Sequence, residues 1–187
     1  MTHKTIDVLV VDDHPAVRTG LQALINAHED MRAVGEAWDE FTLPPAIHRC
    51  DPDVVLLDYQ LPGANGIELC RRTKANVMAP LVIIYSAFVG PAMAVRACIA
   101  GADALVDKGV QPSVLATTIQ RVADGERVLP EVTSETMTLA GEMLDPDDLP
   151  ILGMLVNGIP TSDVAETLHL DQPALDERLD RMLVALA

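Results

Sequence analysis

The chain has 187 residues, of which 49% are hydrophobic, 3% aromatic and 22% charged, and its net charge is −15. This length suits one domain of ordinary size with a smaller second one, and the core must be largely aliphatic. The negative charge argues against general binding to polyanions or to anionic membrane surfaces. Three scattered cysteines, Cys50, Cys70 and Cys98, lack C-x-x-C spacing, which is typical of reduced intracellular thiols rather than of a disulfide framework.

The N-terminal residues do not have the pattern of an export signal. MTHKT leads into a short apolar run that ends at Asp12 and Asp13, without a long apolar region or a small-residue cleavage site. Elsewhere, no apolar run approaches the length of a membrane span. The five histidines lack the spacing of zinc ligands. The sequence therefore predicts a cytoplasmic protein that does not enter a membrane.

Short aliphatic runs alternate with helical patterns over the first two thirds of the chain. Runs of this kind, bounded by turn signals, are typical of strands buried on both faces. The predicted strands are residues 6–11, 32–37, 53–58, 81–86 and 104–108. The predicted helices are residues 15–28, 66–76, 91–101 and 112–125. This order predicts an α/β fold with a parallel sheet, in which ligands bind at the carboxyl ends of the strands.

The character of the chain changes after Gly125. Residues 126–143 have weak periodicity and are predicted to be a linker with one short helix at 133–143. Residues 144–187 are predicted to form a small all-α unit, with helices at 147–158, 161–170 and 172–187. Residues 131–187 hold 12 acids and 2 arginines, a net charge of −10. The C-terminal part is therefore much more acidic than residues 1–130, whose net charge is −5.

Polar residues follow four of the predicted strands, and parallel strands place them at one edge of the sheet. They are Asp12 and Asp13, Asp58, Ser86 and Lys108. Three neighbouring carboxylates repel one another and need a cation, and oxygen ligands with free water positions suit Mg²⁺. A lysine and a hydroxyl can contact a phosphoryl group, and a carboxylate can attack phosphorus. These residues therefore indicate phosphoryl transfer.

Two other classes of site fit these residues less well. Phosphatases that use a phosphoaspartate carry a second acid two positions after the nucleophile, where this chain has Gln60. A flavin-binding protein of the same topology would need a loop rich in Gly, Ser or Thr after the first strand. Residues 12–18, DDHPAVR, have the wrong charge for that phosphate loop. His14, beside the acids, is expected to be an exposed loop residue rather than a catalytic base.

Four motifs together resemble the receiver domain of two-component systems, over residues 5 to about 125. They are VVDDHP (10–15), LLDYQLPGANGIEL (56–69), IIYSA (83–87) and GADALVDK (101–108). The resemblance is specific because the four motifs occur in order and at the family's separations. It implies a flavodoxin-like (βα)5 receiver over residues 1–125, phosphorylated by a sensor histidine kinase.

The resemblance also assigns a role to each polar residue of the predicted edge. It implies that Asp58 is the phosphoacceptor and that Mg²⁺ is the cofactor. The implied metal ligands are Asp12, Asp13, Asp58 and the backbone carbonyl of Gln60. The implied phosphoryl contacts are Ser86 and Lys108, and Pro62 and Gly66 would shape the loop beside the site.

One departure concerns the switch position, three residues before the lysine. Receivers often have an aromatic residue there, whereas this chain has Leu105. Leucine can move with burial but has neither a ring nor a hydroxyl group, so the coupling to the output is expected to be weaker or different. Gly109 also replaces a frequent proline. Neither change removes the phosphorylation chemistry.

The apolar pattern of residues 144–187 resembles the helix-turn-helix output domain of the NarL/FixJ (LuxR-type) family. The polar positions depart from it: Asp147 and Asp148 replace an Arg-Glu pair, and the helix at 172–187 has Asp176 near its start and lacks the family's later lysine at Ala185. Because affinity for duplex DNA depends largely on cations that meet phosphates, we do not expect this degenerate unit to bind DNA tightly. Arg181 is expected to pair with Glu177 one turn away.

These observations predict a response regulator of the NarL/FixJ type rather than a conventional enzyme, although it would take part in its own phosphoryl transfer and hydrolysis. Its output is predicted to be protein–protein contact, through the C-terminal unit or through the face of the receiver's fourth helix, fifth strand and fifth helix. A homodimer is a further candidate assembly. Two alternatives remain open: a DNA-binding LuxR/NarL-type transcriptional regulator, and a phosphate sink for a shared kinase.

Overall fold

The computed structural model describes residues 5–76 and 78–187. The strands are β1 (Ile6–Val11), β2 (Met31–Ala37), β3 (Val54–Asp58), β4 (Gln60–Leu61), β5 (Ala64–Asn65), β6 (Leu81–Ser86) and β7 (Ala104–Asp107). Five of them form a parallel sheet in the order β2-β1-β3-β6-β7, which is the flavodoxin-like order. The predicted sheet is confirmed, while the short antiparallel pair β4–β5 was not predicted because two-residue strands leave no periodic pattern.

Five helices cover the two faces of the sheet. They are α1 (Pro15–Asn26), α2 (Leu43–Cys50), α3 (Gly66–Lys74), α4 (Pro91–Ala100) and α5 (Pro112–Ala123). Alternate strand residues point to opposite faces, so Val8, Val10 and Leu56 pack with α1 and α5. Leu9 and Leu57 pack with α2, α3 and α4. The sheet is therefore buried on both sides.

Helix α2 was not located from the sequence. It contains two consecutive prolines in its first turn, at positions 44 and 45, where a missing amide breaks no helical hydrogen bond. The preceding turn is closed by Asp39 Oδ1, which accepts hydrogen bonds from the amides of Phe41 and Thr42. The helix has only eight residues, too few for a clear apolar period, which hid this element.

Four further helical segments follow the receiver-like part of the chain, with a short 3-10 helix among them. They are α6 (Ser134–Met143), the 3-10 helix (Pro146–Asp148), α7 (Leu149–Val156), α8 (Thr161–Thr167) and α9 (Gln172–Ala185). The helix predicted at 133–143 is found as α6. The helix predicted at 147–158 is instead split, because Asp145 caps a short 3-10 turn through the amide of Asp147. Before α6, the backbone of Val128 runs beside β7, where its carbonyl accepts from the amide of Leu105.

The C-terminal helices pack directly against α4. Ala97 and Ile99 on α4 belong to the same apolar cluster as Ile151 on α7 and Leu179 and Met182 on α9. Helix α4 contacts α6, α7 and α9. The small unit therefore shares one core with the α/β part of the chain, a contact that local periodicity did not indicate.

Ion pairs join the same two parts of the chain. Arg71 on α3 is buried; its Nε lies 3.0 Å from Asp180 Oδ1, and its Nη2 also contacts Asp176. Asp176 and Asp180 are four residues apart and share one face of α9. Two of the acids that make α9 unusual are therefore bound to a cation within the chain.

No helix in the described ranges has the length and apolar character to cross a membrane.

Candidate functional site

Three strand ends bring acids and a lysine together at the carboxyl edge of the sheet. Asp12 and Asp13 follow β1, Asp58 ends β3, and Lys108 follows β7. Lys108 Nζ lies 2.7 Å from Asp12 Oδ2 and 2.9 Å from Asp58 Oδ2. Asp12 and Asp58 are almost entirely buried, at 0% and 4% exposure. The structure thus gathers four of the predicted site residues at one edge, with the ammonium group between the two buried acids.

The site opens into a pocket of about 700 Å³. Its walls include Asp13, Asp58, Lys108 and the loop of residues 59–65, so Gln60 lies at the site. The amide of Gln60 donates to Asp58 Oδ1 over 3.2 Å. Gly66 closes the loop by donating its amide to the carbonyl of Tyr59 over 2.7 Å. A Cβ atom at Gly66 would lie 2.5 Å from the carbonyl oxygen of Asp58, so only glycine permits this close approach.

The two buried acids differ in their ionisation. Burial raises the pKa of Asp58, an effect that the hydrogen bond from Lys108 only partly opposes. Burial alone would raise the pKa of Asp12 as well. The hydrogen bonds from Lys108 and from the His14 amide outweigh burial and hold that pKa below the usual value. Lys108 is partly buried, yet its contacts with Asp12 and Asp58 raise its pKa. The ammonium group therefore stays charged between two acids of which Asp58 is the more easily protonated.

The donor set fits a hard divalent cation. Ligand atoms of Asp12, Asp13 and His14 lie within 4.8 Å of one another. Asp13 Oδ1 is buried and has no hydrogen-bond donor in the described part of the chain. His14 Nδ1 lies 2.6 Å away from it, but without the geometry of a hydrogen bond. A buried carboxylate oxygen without a donor is costly, and carboxylate oxygens are the ligands that Mg²⁺ prefers.

Ser86 ends β6 and is almost completely buried. Its hydroxyl donates to the carbonyl of Phe88 over 2.8 Å and accepts from the amide of Phe88 over 3.1 Å. Its backbone carbonyl accepts from the amide of Lys108 over 2.7 Å. Ser86 is therefore tied to the lysine through the backbone, while its hydroxyl is held in the loop that leads to α4.

Leu105, at the predicted switch position, is buried in the core on the α4 side of the sheet, with 5% exposure. Tyr85 is a site residue that sequence reasoning missed. Its hydroxyl donates to the carbonyl of Lys108 over 3.3 Å, and Lys108 Nζ lies 5.6 Å from its ring centroid. A tyrosine inside an aliphatic strand has the pattern of a core residue, so no local signal identified it.

Comparison with known proteins identifies the family of the chain. Residues 8–120 match the family described as the response regulator receiver domain. The nitrate/nitrite response regulator protein NarL of Escherichia coli (strain K12) is 27% identical, in an alignment that covers 94% of this chain and 87% of that protein. The DNA-binding transcriptional activator DevR/DosR of Mycobacterium tuberculosis (strain ATCC 25618 / H37Rv) is 28% identical, over 97% and 88%.

A solved structure agrees with these relatives. The LuxR-family two-component response regulator from Aurantimonas sp. SI85-9A1 is 32% identical and superimposes with a TM-score of 0.66, covering 73% of this chain and 98% of that one. The matched receiver region spans more than half of the chain, and the parallel five-stranded sheet described above agrees with that fold. The chain therefore belongs to the response regulator family and is a two-component response regulator of the NarL/FixJ type.

Proposed function

We propose that Asp58 accepts a phosphoryl group from a sensor histidine kinase. The observation that carries this proposal is the position of Asp58, which is buried at the base of an open pocket and paired with Lys108. In the reaction, a carboxylate oxygen of Asp58 forms a bond to phosphorus while the phosphorus–nitrogen bond of the kinase phosphohistidine breaks. The electron pair of that bond leaves with the imidazole, which takes up a proton.

The residues around Asp58 would position the incoming group and balance its charge. Asp12, Asp13, Asp58 and the backbone carbonyl of Gln60 would hold Mg²⁺, and the ion would neutralise charge on the phosphoryl oxygens. Lys108 would keep a second positive charge beside those oxygens, where it already contacts Asp58. Such fixed charges act mainly by stabilising the transition state.

We infer that Ser86 links the phosphoryl group to helix α4. Its hydroxyl is bonded to Phe88, and a phosphoryl oxygen on Asp58 would compete for that hydroxyl. If the Ser86 hydroxyl turns towards the phosphoryl group, the loop before Pro91 loses its hydrogen bond from Ser86 to the Phe88 carbonyl. Helix α4 contacts α6, α7 and α9, so a shift of its first turn would reach the C-terminal helices. Leu105 would fill the switch position by packing alone.

The function is tested by incubating the full chain with acetyl phosphate and Mg²⁺ and measuring its intact mass. We expect one phosphoryl group per chain, with a large loss of phosphorylated protein when EDTA removes the cation. A chain that gains no phosphoryl group with Mg²⁺ present would contradict the proposed acceptor site. Equal phosphorylation with and without EDTA would contradict the proposed metal ligands.

We further propose that the chain divides into a receiver (1–125), a linker with one helix (126–143) and an output unit (144–187) that acts by contacting another protein. The few cations of the output unit support this, because Arg178 Nε lies 2.6 Å from the buried carboxylate of Asp148. Arg181 lies 3.9 Å from Glu177. Arg178 is therefore held within the chain, whereas Arg181 is exposed and its pair with Glu177 is a weak surface contact.

DNA binding is the second candidate function, and the similarity to DevR/DosR, which is described as a DNA-binding transcriptional activator, favours it. We expect only weak binding, because residues 131–187 have a net charge of −10, which repels the phosphate backbone. A salt titration of phosphorylated and unphosphorylated protein against random and genomic duplexes tests this. Tight, sequence-selective binding in either state would establish the DNA-binding alternative and overturn the protein-contact output.

A further inference from the structure

An apolar groove lies between α4, α6 and the end of α9, and we call it the α4–α6 groove. Its volume is about 570 Å³. Pro91 and Val95 form the α4 wall, Leu139 and Met143 form the α6 wall, and Leu186 closes one end. Leu139 and Met143 are each 56% exposed and lie one turn apart on the same face of α6. Adjacent large apolar side chains left open in a groove are typical of a binding surface.

The lining of the groove is apolar and acidic. Glu135 is the ionisable residue among the described residues that line it. Glu131 and Glu142 flank it in sequence, and no lysine or arginine stands between Arg127 and Arg178. A second copy of this chain would bring the same negative charge to the interface, and like charges across an interface are unfavourable. Complementarity therefore favours a cationic partner over self-association.

The shape of the groove indicates the form of that partner. Two helices, α4 and α6, make its walls, and an amphipathic helix can lay its apolar side into such a groove. We propose that the α4–α6 groove binds an amphipathic helix of a partner protein whose polar face carries lysine or arginine. This inference rests on the proposed protein-contact output and names its surface and its partner chemistry.

The groove is also placed to respond to phosphorylation. Its α4 wall begins at Pro91, three residues after Phe88, whose backbone holds the Ser86 hydroxyl. A shift of the α4 first turn would change the width of the groove. Phosphorylation of Asp58 should therefore change the affinity for a cationic helix.

The test uses the full chain and two synthetic amphipathic peptides of about 18 residues, or five turns. One peptide combines leucine with lysine, and the other has glutamate in place of every lysine. Fluorescence anisotropy should show that the lysine peptide binds about tenfold or more tightly than the glutamate peptide. The double variant Leu139→Gln, Met143→Gln should bind the lysine peptide about tenfold or more weakly than the wild type does, as expected for the loss of central apolar contacts.

Val184→Gln is the matched control. Val184 is 78% exposed and does not line the groove, so this change should leave the affinity unaltered. The groove inference is wrong if the double variant binds the lysine peptide as tightly as the wild type does. It is also wrong if Val184→Gln loses as much affinity as the double variant, because attraction to the general acidic surface would then explain binding. If the wild-type chain sediments as a dimer and the double variant sediments as a monomer, the groove binds a second copy of the chain instead.

Phosphorylation by acetyl phosphate, measured on the same samples, separates the groove inference from the proposed function. Lack of groove binding in a chain that is phosphorylated on Asp58 would overturn the groove inference alone. A chain that binds the lysine peptide through the groove but gains no phosphoryl group would support the groove and overturn the proposed acceptor.

Discussion

Asp58→Asn is expected to abolish phosphorylation by acetyl phosphate, as measured by intact mass. The amide keeps the shape of the carboxylate but lacks its nucleophilic oxygen, while Asp12 and Lys108 remain paired. Asp124→Asn is a suitable control because Asp124 is an exposed acid at the end of α5, and this variant should be phosphorylated like the wild type. Full phosphorylation of Asp58→Asn would show that another residue is the acceptor.

The same variant should also change how stability depends on pH. Burial raises the pKa of Asp58 in the folded protein, so the folded state favours the protonated acid. That contribution to stability is complete below the unfolded pKa and is lost as pH rises through the folded pKa. The amide introduced by Asp58→Asn does not ionise, so the variant would carry no such loss. It should therefore melt at a higher temperature than wild type at neutral pH, and the difference should shrink on acidification.

Arg71→Met should loosen the C-terminal helices from the receiver and lower the free energy of unfolding by about 2 kcal/mol, the scale of hydrogen bonds to charged groups. Methionine fills much of the same space but leaves Asp176 and Asp180 without their cation. Asp180 is largely exposed, at 65% of its side chain, so most of the loss should come from Asp176, which is 25% exposed. Urea unfolding measures the change.

Arg72→Met is the matched control for Arg71→Met, since it makes the same change at the next residue. The Arg72 side chain is 62% exposed and pairs with Glu40, so its loss should cost less than about 1 kcal/mol. A double-mutant cycle of Arg71→Met with Asp176→Asn should give a coupling of about 1 kcal/mol or more. Equal effects of the two methionine variants, or zero coupling, would mean that the Arg71 cluster does not hold α9 in place.

Some contacts of the site could be predicted from the sequence, and others could not. Asp12, Asp58 and Lys108 were predicted to meet because each follows an aliphatic run, and parallel strands end at a shared edge. The direction of the Ser86 hydroxyl was not predictable, because it depends on a loop whose backbone competes for it. Tyr85 was missed for a related reason, since its hydroxyl contacts the carbonyl of Lys108, which lies 23 residues away in the loop after the neighbouring strand β7.

In the C-terminal part, too, local features were predictable from the sequence and long-range contacts were not. Helices were predicted near 133–143, 161–170 and 172–187, and α6, α8 and α9 lie there. The Glu177–Arg181 pair was also predicted, because side chains four residues apart on a helix are neighbours, and it is found. The acidity of α9 argued for lost DNA contacts, but its local pattern gave no cationic partner for Asp176 and Asp180.

The sequence by itself determined the parallel sheet, the order of its elements and the acidic edge with its lysine, because these depend on hydrophobic period and on strand ends. Only the tertiary structure decided that α7 and α9 pack on α4 and that Arg71 binds two acids of α9. Those ion pairs join residues more than 100 positions apart. Periodicity describes which face of a helix is apolar, but not which other helix will cover it.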